Sequence, residues 1–195
     1  MNRALDVALA GTGLLLASPL LAVAALATKL ADGGPVLYRQ TRVGRHGEDF
    51  ELLKLRTMVV GAERQGAGFA VNAGDPRITR VGAILRRTSI DELPQLWNVV
   101  RGEMSVIGPR PTLRYQVERY DERQRRRLDV KPGLTGWAQV HGRAALPWAE
   151  RIELDVWYVE HRSWKVDLEI LLRTPLALFR GTYKGATGGW TDPPR

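Results

Sequence analysis

The feature that most constrains this chain is its N-terminal apolar run. From Ala4 to Ala27 the only charge is Asp6, and "VALAGTGLLLASPLLAVAALA" is dominated by alanine and leucine. As a straight helix these 24 residues would be about 36 Å long, enough to cross a bilayer. Three outcomes fit such a run. A cleaved leader would use Arg3 as its basic region and "AALA" as its cleavage-like end, although Asp6 and the length weigh against it. A plain transmembrane anchor requires only the length. The third outcome rests on Ser18-Pro19 at mid-run. Pro19 cannot donate to the carbonyl of Leu15, and its ring crowds the preceding turn. The Ser18 hydroxyl can reach back to the carbonyl of Leu14 or Leu15 and offset part of that loss in lipid. A helix broken there would enter and leave a membrane by the same face. Arg3 and Lys29 flank the run, so charge does not choose its orientation.

Beyond this run the chain is polar and basic. At 195 residues it suits one domain with a real core, and the absence of cysteine excludes disulfides and thiolate metal sites. His46, His141 and His161 are too scattered for a zinc-ligand pattern. A formal charge of +8 implies anionic partners: nucleic acid, phosphorylated small molecules or an acidic membrane surface. Asp32-Gly33-Gly34-Pro35 reads as a turn leading into two short strands, Val36–Gln40 and Phe50–Leu55, around a turn at Arg45-His46-Gly47. Residues 112–130 predict one arginine-rich helix, either solvated or lying at a membrane interface. Pro147–Tyr158 and Trp164–Arg180 carry helical spacing of apolar residues. The expected fold class is α+β and predominantly helical, with a small β-hairpin and amphipathic interfacial helices.

Chemistry concentrates around "SIDELPQLWNV", residues 89–99, which places adjacent carboxylates, Asp91 and Glu92, at what reads as a helix start. Ser89-x-x-Glu92 fits a capping box, but Pro94 would then be the fifth helical residue, where it clashes. With Asp91 as N-cap, Pro94 falls at the third position, whose N–H has no partner anyway. Arg77, Arg80, Arg86 and Arg87 precede the pair, and Arg101 and Arg110 come after it. Arg110 sits between Pro109 and Pro111, which restrict its backbone and suit it to presenting a planar fork to phosphate. "VKPGLTGWAQVHGR" then supplies a glycine-rich loop with Lys131 and Arg143, where amides could line an anion site.

Taken together, Ser18-Pro19, "GGPVLYRQTRVGRHGEDFELLKLRTM", "DPRITRVGAILRRTSIDELPQLWNVVRGEMSVIGPRP", "VKPGLTGWAQVHGR" and "LDVWYVEHRSWKVDLEILLRT" resemble the bacterial sugar transferase family. These are small monotopic phosphoglycosyl transferases, and the likeness covers nearly the whole chain. Ala144 departs from the asparagine common after the later Gly-Arg. The resemblance implies transfer of a sugar 1-phosphate from a UDP-sugar to polyprenyl (undecaprenyl) phosphate, with release of UMP and a requirement for Mg²⁺. It implies a re-entrant membrane helix over residues 1–30. A catalytic domain over residues 31–195 would then sit on the cytoplasmic face of the bacterial inner membrane. Asp91 would be the nucleophile, forming an aspartyl-phosphosugar intermediate, and Glu92 would hold Mg²⁺. Arg86 matches the position linked to the lipid phosphate. Arg110 and Arg143, with Lys54 and Arg56 behind them, are candidates for the nucleotide-sugar side. Membrane and phosphate partners are expected in place of nucleic acid; the oligomeric state, homo-oligomer included, stays open. Two rivals remain: a non-catalytic membrane-tethered basic module that binds anionic lipid or nucleic acid, and a soluble nucleotide-sugar hydrolase with a cleaved leader.

Overall fold

The computed structural model describes residues 2–65, 74–142 and 146–179. It begins with helix α1, Arg3–Asp32, whose first turn is capped by the Asn2 side chain accepting from Ala4 N at 3.1 Å. The helix stops at Gly33, which takes φ 72° and returns its N–H to Lys29 O. That left-handed conformation favours glycine. Helix α1 is continuous through Ser18-Pro19, not interrupted there as expected. Pro19 leaves the Leu15 carbonyl without its amide, and the Ser18 hydroxyl donates to that oxygen at 2.8 Å.

Both arms of α1 pack on the same body. Near the start, Ala10 and Leu14 pack with Leu52, Leu96, Val99 and Met104. Arg3 donates to the carbonyls of Val99 and Val100, both at 2.5 Å. Asp6 is buried and its Oδ1 accepts from Ser105 Oγ at 2.8 Å and Val106 N at 2.9 Å. Near the end, Leu21 and Ala24 pack with Leu55, Leu85 and Ile90. Between the arms, Leu15 and Leu16 are 74% and 75% exposed, so the stretch before Pro19 stands clear of the domain. Replacing Asp6 with leucine would bury the Ser105 hydroxyl and the Val106 amide without an acceptor, at a cost of about 2 kcal/mol or more. Asp6→Leu should lower Tm by several degrees in detergent and Asp6→Asn, which keeps an acceptor, by less. Equal Tm for both variants would show that the carboxylate does not tether α1.

Strands β1 (Leu37–Val43) and β2 (Asp49–Leu55) form an antiparallel hairpin running from Leu37↔Leu55 to Val43↔Asp49. Its first strand runs three residues past the expected Gln40. Helices α2 (Arg80–Thr88) and α3 (Gln95–Arg101) come next, then β3 (Ser105–Ile107), which pairs in parallel with β4 (Gly133–Thr135). This pairing explains the glycines of "PGLTG". A Cβ at Gly133 would lie 2.0 Å from Gly108 N, and the Gly133 amide donates to Pro109 O at 2.8 Å. Gly133 thus serves close backbone approach, and its amide is taken by the Pro109 carbonyl.

Residues 112–130 are not one helix. They divide into α4 (Arg114–Val117), α5 (Glu122–Arg125) and a 3₁₀ turn over Arg126–Asp129. Asp121 restarts the chain as an N-cap, with Oδ1 accepting from Gln124 N at 2.8 Å. Arg123, Arg126 and Arg127 pair with Glu153, Glu160 and Asp155 of helix α7 (Trp148–His161). A short helix α6 (Trp137–Val140) precedes α7, and α8 (Trp164–Phe179) succeeds it. On α8, Trp164, Leu168, Leu172 and Leu176 recur every fourth residue and are exposed, an apolar stripe of the kind expected of an amphipathic helix.

Candidate active site

The acidic pair lies in a tight connection between α2 and α3. Ser89 ends α2 in the left-handed region, φ 58° and ψ 18°, with its N–H turned back to Leu85 O and Arg86 O. A serine there occupies a sparsely populated region that only surrounding structure can hold. A 3₁₀ turn over Ile90–Glu92 comes next, and Pro94 is the N-cap of α3. Neither expected register is realised: Ser89 makes no side-chain cap bond, and Asp91 is not an N-cap. Pro94 decides this, because it lacks the N–H an interior position would use and so sits just outside the helix. Helix α3 is seven residues long and starts at Gln95, so Asp91 lies in the turn that precedes it.

Two neighbouring carboxylates thereby acquire different environments. Glu92 is gripped: Lys54 Nζ reaches Oε1 at 3.0 Å, and Arg110 forks onto both oxygens at 2.6 and 3.4 Å. Burial opposes its ionisation, but the Arg110 and Lys54 charges and hydrogen bonds hold it well below the usual carboxylate range. Asp91 is 7% exposed and makes no hydrogen bond or ion pair with any described residue. Burial first, and the Glu92 charge second, push it up to about 6 against Lys54, Arg86 and Arg110. Burial pushes the Lys54 ammonium down, partly offset by Glu92.

Lys54, Arg86 and Arg110 are therefore brought around the Asp91-Glu92 pair. Arg56 is not. Its guanidinium forks onto both oxygens of Asp32 at 2.5 Å and donates to Pro35 O and Met58 O, tying the end of α1 to β2. With its donors committed to these acceptors, it is a tether, not a substrate ligand. Arg143 and Ala144 lie outside the described residues. Arg42 is a member that sequence reasoning missed. It donates to Gln40 Oε1 and Pro111 O. Burial and the nearby Arg110 charge push it down to about 10, while Glu92 acts against them. Its signal was present as one of several hairpin basics, but nothing local separated it from Arg39, which pairs with Glu51 at the exposed surface. Among the described residues no group of three or more His, Cys, Asp or Glu side chains comes together.

A buried carboxylate with no hydrogen-bond partner among the described residues, near Lys54, Arg86 and Arg110, has the charge balance of a candidate site for anionic groups. It sits on a body whose first helix is long and apolar enough to cross a membrane and has only 11% of its apolar window buried, which fits membrane association. The chain belongs to the bacterial sugar transferase family, whose model matches residues 1–181. It is 42% identical to the exopolysaccharide production protein ExoY of Rhizobium meliloti, over 93% of this chain and 88% of that protein. It is 47% identical to a UDP-glucose:undecaprenyl-phosphate glucose-1-phosphate transferase of Caulobacter vibrioides, over 89% of this chain and 67% of the relative. To the Escherichia coli transferase of the same name it is 44% identical, over 93% of this chain but only 40% of the larger relative.

Proposed function

We propose that this protein transfers a sugar 1-phosphate from a UDP-sugar to polyprenyl phosphate, giving polyprenyl-diphosphate sugar and UMP at the start of lipid-linked glycan synthesis. The Caulobacter and Escherichia relatives support the donor and acceptor classes. The observation that carries the reading is the inequality of the two carboxylates: Glu92 is locked by Lys54 and Arg110, and Asp91 is buried beside it and unbonded among the described residues. Asp91 acts as the nucleophile. Its oxygen forms a bond to the β-phosphorus of the donor, the bond to the oxygen bridging the two phosphorus atoms breaks, and UMP leaves with that oxygen. An oxygen of polyprenyl phosphate then bonds to the same phosphorus as the aspartyl P–O bond breaks, and Asp91 is regenerated. Lys54, Arg86 and Arg110 offset the charge of an anion attacking an anion.

The donor set suits Mg²⁺ delivered with its diphosphate. The Glu92 charge raises the proton affinity of Asp91, a repulsion that a divalent cation relieves. Magnesium commonly takes one or two protein carboxylates and completes its shell with phosphate oxygens and water. Glu92 and Asp91 are the residues that would hold it. When bound, it neutralises diphosphate charge.

The division into a membrane helix (1–30) and a catalytic domain (31–195), and placement on the cytoplasmic face of the inner membrane, belong to the same proposal. What supports re-entry is that α1 is bonded to one body at both ends, through Asp6 and through Asp32. A helix so tied cannot put its ends on opposite sides of a bilayer unless the body moves with it. The test of the function omits the lipid. Enzyme, UDP-sugar and Mg²⁺ should release about one equivalent of UMP and stop, and the peptide containing Asp91 should carry the phosphosugar. Adding polyprenyl phosphate should discharge it, with ping-pong kinetics. UMP released only when lipid is present would replace the covalent route with direct attack by the acceptor.

A further inference from the structure

Arg110 owes its place to a segment that has little means of fixing itself. Prolines on both sides of it carry no N–H, so the carbonyls are the principal backbone handles of this turn. Four consecutive carbonyls are each held from a different point. Pro109 O accepts from Gly133 N at 2.8 Å, and Arg110 O from Arg127 Nη2 at 3.0 Å. Pro111 O accepts from Arg42 Nη1 at 3.3 Å, and Thr112 O from Val43 N at 2.9 Å. Two donors are strand-fixed amides. The donor on Arg110's own carbonyl is a side chain, 4% exposed, that comes from the 3₁₀ turn over Arg126–Asp129.

Arg127 is itself fixed. Its Nη2 also reaches Asp155 Oδ2 at 2.5 Å, and its Nη1 donates to the Tyr120 hydroxyl at 2.5 Å. That hydroxyl in turn donates to Thr112 Oγ1 at 3.2 Å, so a second branch returns to the same segment. The other oxygen of Asp155, Oδ1, is buried without a hydrogen-bond partner among the described residues. A pair this deeply buried contributes little net stability, since apolar residues of similar volume usually serve as well. Its bonds instead converge on the stretch that carries Arg110.

We infer that Arg127, oriented by Asp155 and Tyr120, is a positioning residue that aims the Arg110 guanidinium at the phosphate site through the Arg110 carbonyl. The inference rests on the transferase function proposed for this site. A misplacement of the order of 1 Å at a charge-stabilising group costs about a hundredfold in rate, so loss of the pair should act on turnover more than on substrate affinity.

The test is a double-mutant cycle in purified full-length enzyme. Arg127→Met with Asp155→Leu removes both charges together, and Tm reports whether the core has accepted them. In the native background kcat for UMP release should fall about tenfold or more, with KM for the UDP-sugar changing less than about threefold. In an Arg110→Ala background the same pair of changes should cost less than about threefold, because the group being positioned is already gone. An equal loss in both backgrounds, or none in the native one, would overturn the inference and leave a structural pair only. If the apolar pair fails to fold, Asp155→Asn, which keeps volume and an acceptor, is carried through the same cycle and judged by the same outcomes. UDP affinity, measured calorimetrically on the same proteins, reads the cycle without turnover. Native enzyme that binds UDP but releases no UMP would fail the proposed function, and the coupling between positions 127 and 110 would still be read from affinity.

Discussion

Asp91→Asn is expected to lower turnover by about a thousandfold or more while leaving the protein at least as stable as the native form. The two halves have one cause. Asp91 is buried with no hydrogen bond among the described residues, so its carboxylate is largely withdrawn from water without a protein donor in exchange. Its pKa rises from 3.8 in the unfolded chain to about 6 in the fold. Between those values the folded state binds more protons than the unfolded one, so this group's contribution to stability falls as pH rises, and above pH 6 the ionised carboxylate costs on the order of 3 kcal/mol. An amide carries no such cost and should raise Tm by several degrees at neutral pH. The same desolvation makes the carboxylate reactive, and a neutral amide cannot form the P–O bond. In the native enzyme the rate of the lipid-free half-reaction should rise with pH as Asp91 loses the proton that burial and the Glu92 charge help it to hold. Using that half-reaction keeps the titration of the acceptor phosphate out of the profile. A variant retaining a tenth of native activity, or a pH profile flat from about 5 to 8, would remove Asp91 from the covalent role.

Glu92→Gln is expected to reduce turnover about a hundredfold and to move the acid limb of the pH profile to lower pH. Gln keeps the shape but deprives Lys54 and Arg110 of the charge that both grip. An uncompensated ammonium beside the nucleophile then tends to lose its proton, which burial already favours at Lys54. Arg110 loses its fork and with it part of its orientation. The shift of the limb has a separate origin. The Glu92 charge is second only to burial in raising Asp91, so removing it lets Asp91 ionise at lower pH. The magnesium concentration needed for half-maximal rate should also rise. Full activity with an unshifted limb would mean that the pair does not act as a coupled unit.

These expectations show where local pattern was informative. "SIDELPQLWNV" and Pro109-Arg110-Pro111 pointed to residues that do come together, because acidic pairs and proline-flanked arginines are written in adjacent positions. The hairpin was legible for the same reason, since alternation and a glycine turn are short-range signals. The helix expected over 112–130 was not. Its arginines are equally compatible with solvent, lipid or partners, and the choice fell to Glu153, Asp155 and Glu160, some thirty residues downstream.

By itself the sequence determined that an apolar helix precedes a basic α+β domain and singled out Asp91, Glu92 and Arg110 as candidates for its chemistry. The first depends on composition and periodicity; the second depends on short motifs and on the family resemblance that those motifs carry. Only the tertiary structure decided that Arg56 holds α1 while Arg42 joins the site, that Arg127 supports Arg110, and that Asp91 and Glu92 are unlike. The physical reason is that a side chain's charge acts through the groups folded against it. Lys54 and Arg110 reach Glu92 across 38 and 18 residues of chain, and burial leaves its neighbour Asp91 without such a partner among the described residues.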